Sequence, residues 1–269
     1  MFKNQPKGLI PAALSNMGER FGYYIMNAVL VLFLCSKFGL NEETSGLIYS
    51  CFYAGIYILS LVGGIIADKT QNYKGTIIKG LIIMTAGYAL LAIPILATAE
   101  NTTWLLTLTC AALFLIAFGN GLFKGNLQAI VGQLYDNPKY ADKRDSGFQI
   151  FYVFINIGGL IAPFVAPYLR EWWLSANDMV YNASFPEMCH QVLGGSADKL
   201  TEITDFATKV GYNGVESLKE FCGQYLDVFN SGIHFSFIAS VAAMLISLTI
   251  FLTTKKGLPN PAKKEAAAA

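Results

Sequence analysis

One stretch of the chain concentrates groups that can do chemistry: Asn16-Met17-Gly18-Glu19-Arg20-Phe21-Gly22-Tyr23-Tyr24, with Asn27 just beyond. On a helix, positions 16, 19, 20, 23, 24 and 27 share one face. That face sets an acid able to take up a proton beside a permanent cation, flanked by two phenols and two amides. The segment then runs into Ala28-Val29-Leu30-Val31-Leu32-Phe33-Leu34, which is apolar enough for lipid. A charged side chain at the centre of a membrane helix costs about 3 kcal/mol or more unless it faces protein or a wet cavity. The stripe is therefore a candidate functional site.

Three other apolar segments carry faces of the same kind. Asn120, Lys124 and Gln128 lie four apart, as do Tyr49, Tyr53 and Tyr57, while Gln149, Tyr152 and Asn156 recur at i, i+3 and i+7 ahead of Gly158-Gly159. Each has a plainer reading. Lys124 lies near a helix end and can snorkel to water, and an aromatic stripe is more often packing than a ligand box. Lipid rejects all these faces, whereas a single wet cavity accepts them.

The elements that must position these groups are membrane helices. The 269 residues are 54% hydrophobic and only 14% charged, against roughly 25% charged in soluble domains. Six apolar segments, near 11–35, 46–67, 76–97, 103–127, 147–168 and 233–253, are long enough to cross a ~30 Å hydrocarbon core. Pro94 and Pro163 fall inside two of them, where kinks are tolerated. Twelve Lys and Arg lie at the N-terminus, in alternate short loops and at the C-terminus, against Lys37 alone in the opposite short loops. This bias predicts both termini in the cytoplasm, in a plasma or bacterial inner membrane. The first apolar run lacks a cleavage site and contains Glu19 and Arg20, so it is expected to remain in the protein.

Residues 169–232 form a long polar connection with nine acids against four bases. Apolar residues at 200–210 and 215–226 recur at helical spacing, predicting two short packed helices on the outer side. Cys189 and Cys222 lie there, and a disulfide between them is one expectation, two buried thiols the other. Cys35, Cys51 and Cys110 read as small core residues. No cysteine pair has zinc-ligand spacing, no nucleophile–base pair is visible, and His190 and His234 read as isolated polar residues. The expectation is no enzyme, no metal, no cofactor and no nucleic-acid partner. The Gly63-Gly64-Ile65-Ile66-Ala67-Asp68 segment predicts close helix packing, with Asp68 capping a helix or pairing with a base.

Four segments together resemble the proton-coupled oligopeptide transporters of the major facilitator superfamily. Glu19-Arg20-Phe21-x-Tyr23-Tyr24 is similar to part of the E-x-x-E-R-F-x-Y-Y motif on the family's first helix. Gly63–Asp68 followed by Gly75-x-x-Ile78 resembles the signature between helices two and three. Phe123-Lys124-x-Asn126 resembles the helix-four lysine segment, and Phe151-Tyr152-Val153-Phe154-Ile155-Asn156-Ile157-Gly158-Gly159 the helix-five signature.

The resemblance implies symport of di- and tripeptides with protons by alternating access, in the lipid bilayer and with protons as the coupling ion. Proton coupling would fall to Glu19, Arg20 and Lys124, with Glu19 lying against both cations. Peptide contacts would fall to Arg20, Tyr23, Tyr24, Asn27, Tyr57 and Asn156. Asn16 stands where the family motif has its first acid, Asn27 where a base is common, and Gly125 where Pro is usual. The resemblance covers one of the family's two six-helix bundles, so the expected partner is a second six-helix half, in the same longer chain or separate.

The expected architecture is an all-α membrane protein with six transmembrane helices in one major-facilitator-type bundle and a small helical extracytoplasmic insertion. Helices 1–5 occupy 1–168, the acidic insertion 169–232, helix 6 233–254, and a cytoplasmic linker or truncated end 255–269. Two other functions fit the residues less closely: transport of another small solute such as nitrate, or a non-transporting scaffold that binds a partner through the insertion.

Overall fold

A computed structural model of the chain describes residues 4–98, 100–195 and 200–259; most of the expected terminal linker lies outside these. Among the described residues eight α-helices follow one another: α1 Leu9–Phe38, α2 Glu42–Thr70, α3 Tyr73–Ala92, α4 Thr102–Gln133, α5 Arg144–Ala176, α6 Phe185–Gly194, α7 Leu200–Lys209 and α8 Leu218–Thr254. Six are long and apolar enough to span a membrane: α1 to α5 and α8.

The ends have local causes. Gly39 closes α1 at φ 64°, a left-handed conformation cheap only for glycine, and its N–H reaches the Cys35 carbonyl at 3.0 Å. Asn41 caps α2 by accepting from the Thr44 N–H at 2.8 Å, and Glu42 and Glu43 favour the positive end of the helix dipole. Asn72 caps α3 through the Gly75 N–H at 3.0 Å. Asp68 accepts from the Tyr73 hydroxyl across this turn, and among the described residues it neither caps a helix nor pairs with a base.

Third-helix boundaries differ from expectation. The helix stops at Ala92 rather than carrying a kink at Pro94, because the residue before a proline is pushed out of the α region; Ile93 is extended, with ψ 116°. Pro163 and Pro167 do lie inside α5.

Helices pack in two triplets. α4 lies between α2 and α3, α1 lies between α5 and α8, and α3 meets α8 to join them. Lipid tails supply no hydrophobic drive between helices, so close approach through small residues must do this work. Gly80 and Gly119 face each other between α3 and α4, and Gly63 and Gly121 do so between α2 and α4. Between α1 and α8, Ser247 donates to the Ser15 carbonyl at 2.6 Å and Ser240 to the Gly22 carbonyl at 2.8 Å. Exposed apolar residues concentrate on α2 and α5, including Leu61 and Phe164.

The acidic insertion is built differently from the sequence reading. At about 1.5 Å per residue, α5 and α8 are longer than a bilayer core requires, so their ends project and carry α6 and α7. Residues 218–226 are the first turns of α8 rather than a separate short helix. The second short helix is instead α6, signalled by Ser184-Phe185-Pro186-Glu187, with Pro in the first turn and Gly195 at the C-cap. Phe185 meets Tyr225 edge-on at 4.8 Å, and the Tyr225 hydroxyl donates to the Val180 carbonyl at 2.9 Å.

Cys189 and Cys222 are free thiols, each fully buried in this small core, rather than a disulfide. Burial pushes the Cys189 thiol up, while the hydrogen bond to Cys189 draws the Cys222 thiol down. We expect a membrane-permeant maleimide to label Cys189 and Cys222 only after unfolding; native labelling at the rate of an exposed thiol would show an open insertion. Cys51 and Cys110 are exposed on helix faces, not core residues as their apolar surroundings suggested.

Candidate functional site

The site lies at the seam between the two triplets, where α1 crosses α2 and α4. Glu19 is wholly buried and Arg20 is 6% exposed. Although neighbours in sequence, they form a bidentate pair: Arg20 Nε donates to Glu19 Oε2 at 2.5 Å and Nη2 to Oε1 at 2.6 Å. Two parallel charge-assisted bonds hold the fork rigidly and compensate part of the cost of burying both charges. Asn120 on α4 adds a third bond, Nδ2 to Glu19 Oε1 at 2.8 Å. The Arg20 guanidinium also lies over the Tyr23 ring, 4.8 Å from its centroid.

Glu19 was expected to lie against Lys124 as well. Among the described residues its one ion pair within 4.0 Å is with Arg20. The physical reason is saturation: the Arg20 fork and the amide of Asn120, one helical turn before Lys124, already occupy the carboxylate. Lys124 is half-buried, with its ammonium 5.4 Å from the Tyr57 ring centroid. Tyr57 in turn shares a hydroxyl–hydroxyl bond of 3.1 Å with Tyr53. Tyr53 stacks on Tyr49 with 6.1 Å between centroids, so the ladder on α2 forms as its spacing predicted.

The other candidates separate into a closed node and an open face. Tyr23 is buried, packing on Tyr24 at 5.4 Å and on Phe52 at 6.5 Å. Tyr24 is half-buried with its ring against Gly159 of α5, where any side chain would meet it. Asn27 is half-buried, and its Oδ1 is buried with no hydrogen-bond partner among the described residues. Tyr57 is 55% exposed. Asn156 is exposed on α5 and makes no side-chain hydrogen bond among the described residues. It is not drawn to the Glu19 node.

Two residues of the node had no role from sequence. Asn120 was visible as part of an amide stripe, but nothing in one strand of sequence aims it at Glu19. Tyr88 on α3 is fully buried, with its hydroxyl unpartnered among the described residues and both Glu19 and Arg20 within electrostatic reach. Its only sequence signal is a phenol in mid-span. Asn120 Oδ1 is likewise buried without a partner among the described residues. The node thus holds one acid, one base and two buried polar atoms that no described residue satisfies. A proton arriving at Glu19 would remove the negative half of the fork and leave the Arg20 charge to find another anion.

Comparison with known proteins bears on the family and fold of the chain. Residues 74–267 match the POT family (PTR2). A di-/tripeptide transporter of Lactococcus lactis subsp. cremoris is 37% identical over 171 residues, 61% of this chain and 32% of that protein. A dipeptide and tripeptide permease A of Chromobacterium violaceum is 34% identical over 167 residues, 62% of this chain and 32% of its own length. A mutant peptide transporter POT crystallised with alafosfalin superposes with a TM-score of 0.64 at 26% identity, covering 96% of this chain and 40% of the other. The chain therefore spans about a third of the length of the curated relatives it matches. With the family pattern extending over most of the chain and six membrane-length helices packed as in a solved peptide transporter, this integral membrane protein belongs to the POT family.

Proposed function

We propose that the chain supplies one six-helix half of a proton-coupled symporter of di- and tripeptides. The observation that carries this reading is the buried Glu19–Arg20–Asn120 node placed behind an open aromatic face bearing Lys124. Glu19 is the proton acceptor. In its ionised form it occupies Arg20; once protonated it gives up most of that attraction, and the guanidinium becomes available to a peptide carboxylate. Lys124, held only by an aromatic face, is the mobile cation that follows this change. Tyr23, Tyr24, Tyr57, Asn27 and Asn156 line the peptide side, with the idle Oδ1 of Asn27 able to accept from an amide.

The open face of α2 and α5 fits a second six-helix half, because exposed phenols and amides such as Tyr53, Tyr57, Tyr152 and Asn156 are unsuited to lipid tails. The Lys and Arg bias supports cytoplasmic termini, with α6 and α7 on the outer side. Protons are the coupling ion, and no further cofactor or catalytic group is required. Relatives named for peptide transport do not favour nitrate or a scaffold role.

The test is uptake of labelled dialanine into vesicles bearing the full-length transporter. An imposed pH gradient should drive accumulation. Lys124→Ala should lower the driven rate about tenfold or more, the equivalent of one charged contact, while exchange without a gradient persists. Driven uptake unaffected by the variant would remove Lys124 from the coupling step. No dipeptide uptake under either condition would overturn the substrate assignment.

A further inference from the structure

A second polar cluster lies away from the Glu19 node, at the end of the bundle that carries α6 and α7. Lys37, in the last turn of α1, is only 7% exposed. Among the described residues no carboxylate comes within 4.0 Å of it, and its single hydrogen bond joins Nζ to His234 Nε2 at 3.1 Å. His234, itself 4% exposed, also bonds through Nδ1 to the Leu91 carbonyl at 2.8 Å. A carbonyl only accepts, so Nδ1 carries the proton and Nε2 is the bare acceptor. The imidazole is therefore neutral and the lysine is the donor.

That leaves the ammonium charge uncancelled. The Phe33 ring lies 5.0 Å from Nζ, and the C-terminal ends of α1 and α3 lend partial negative charge. Neither supplies a counter-ion. Two of the three ammonium hydrogens have no acceptor among the described residues.

A cavity of about 340 Å³ opens beside this lysine, lined also by His190, Asn230, Ser231 and His234. This is the size of a small-molecule site. Several polar groups on the lining are already committed. His190 Nε2 bonds the Ser36 carbonyl at 2.8 Å, and Asn230 bonds both Ser36 and the Leu226 carbonyl. The Lys37 hydrogens and the Ser231 hydroxyl remain as donors. Asp227 is the one acid on the lining, exposed at the rim, two helical turns before His234.

We propose that this cavity binds a small organic carboxylate, with Lys37 as its counter-ion, at a site separate from the Glu19 node. An isolated buried ammonium that lines a ligand-sized cavity with only a neutral acceptor is the complement of a carboxylate, whose two oxygens can take the two remaining N–H groups. The neutral His234 orients the ammonium without competing for the ligand's charge. The assignment does not depend on peptide transport.

Thermal unfolding of the purified full chain in detergent, titrated with propionate against propionamide and against sodium chloride at equal ionic strength, provides the test. Propionate should raise the midpoint saturably, by about 3 °C or more near saturation, while the amide should not. Lys37→Gln should abolish the shift, whereas Lys69→Gln, at an exposed site elsewhere, should keep it. Asp227→Asn removes a rim charge of the same sign as the ligand and should tighten propionate about threefold. Lys37→Arg retains the charge and the shift, which keeps the test standing if Lys37→Gln fails to fold. An equal shift in wild type and Lys37→Gln, or no shift in wild type, overturns the site. An equal, Lys37-dependent response to chloride overturns the carboxylate assignment.

Discussion

Gly121→Ala should destabilise the bundle by about 3 kcal/mol, the upper range for overpacking, and Gly121→Val should prevent its assembly. A β-carbon at Gly121 would collide with the Leu59 carbonyl group and approach Ser60 N at 2.9 Å. One at Gly63 would collide with the Gly121 carbonyl in return. Both obstacles are backbone, so no rotamer change relieves them and α2 must move off α4. The shift would also break the bond from Asn126 Nδ2 to the Gly63 carbonyl, 3.1 Å long.

The opposite sign is expected at two nearby glycines on the same helices. A β-carbon at Gly64 or Gly125 meets nothing within 4 Å. There alanine gains its helix propensity, roughly 1 kcal/mol, without cost. Denaturant titration of the four alanine variants measures both signs at once. If Gly121→Ala and Gly64→Ala shift the midpoint alike, the close α2–α4 approach is not what holds this triplet together.

At the Glu19 node, each single charge removal should cost about 3–5 kcal/mol, because it leaves the other charge buried and uncompensated. Arg20→Gln leaves the Glu19 carboxylate with only the Asn120 amide. Glu19→Gln leaves the guanidinium with the Tyr23 face and one neutral carbonyl. The double variant should recover a large part of either loss, giving a coupling energy of about 2 kcal/mol or more in a double-mutant cycle. Function should part from stability. If Glu19 is the proton acceptor, as proposed, Glu19→Gln should abolish gradient-driven dipeptide uptake in the full-length protein while gradient-free exchange of bound peptide continues. Strictly additive stabilities would contradict the bidentate pair. Gradient-driven uptake that survives in Glu19→Gln would take the proton away from this residue.

How much of this was legible in the chain depends on the range of the interaction. The spans could be read because membrane length, apolar composition and loop charge are local properties. So could the tyrosine ladder on α2 and the α1 stripe, since helical spacing alone puts those residues on one face. The Glu19–Arg20 bond is between neighbours and was already implied by their types. Local turn chemistry set further limits: Pro94 ends α3 through the conformation of the residue before it, and the Ser-Phe-Pro-Glu start of α6 is recognisable once found.

The tertiary structure decided which polar group meets which. Glu19 is saturated by Asn120, 101 positions away, so Lys124 turns to Tyr57 instead. Tyr88 becomes part of the node only because α3 packs on α4. His234, which by itself reads as an isolated polar residue, is buried against Lys37 across 197 positions, and Cys189 meets Cys222 as a buried thiol pair. These outcomes follow from close helix packing, including glycine-to-backbone contacts such as those of Gly63, Gly80, Gly119 and Gly121, which sets how each helix is turned toward its neighbours. Periodicity gives the face of a helix; only packing gives what stands opposite. The stripe of Glu19, Arg20, Tyr23 and Tyr24 was therefore identifiable from sequence as a polar face on an apolar helix. Its division into a buried ion-paired node and an open aromatic face belongs to the fold.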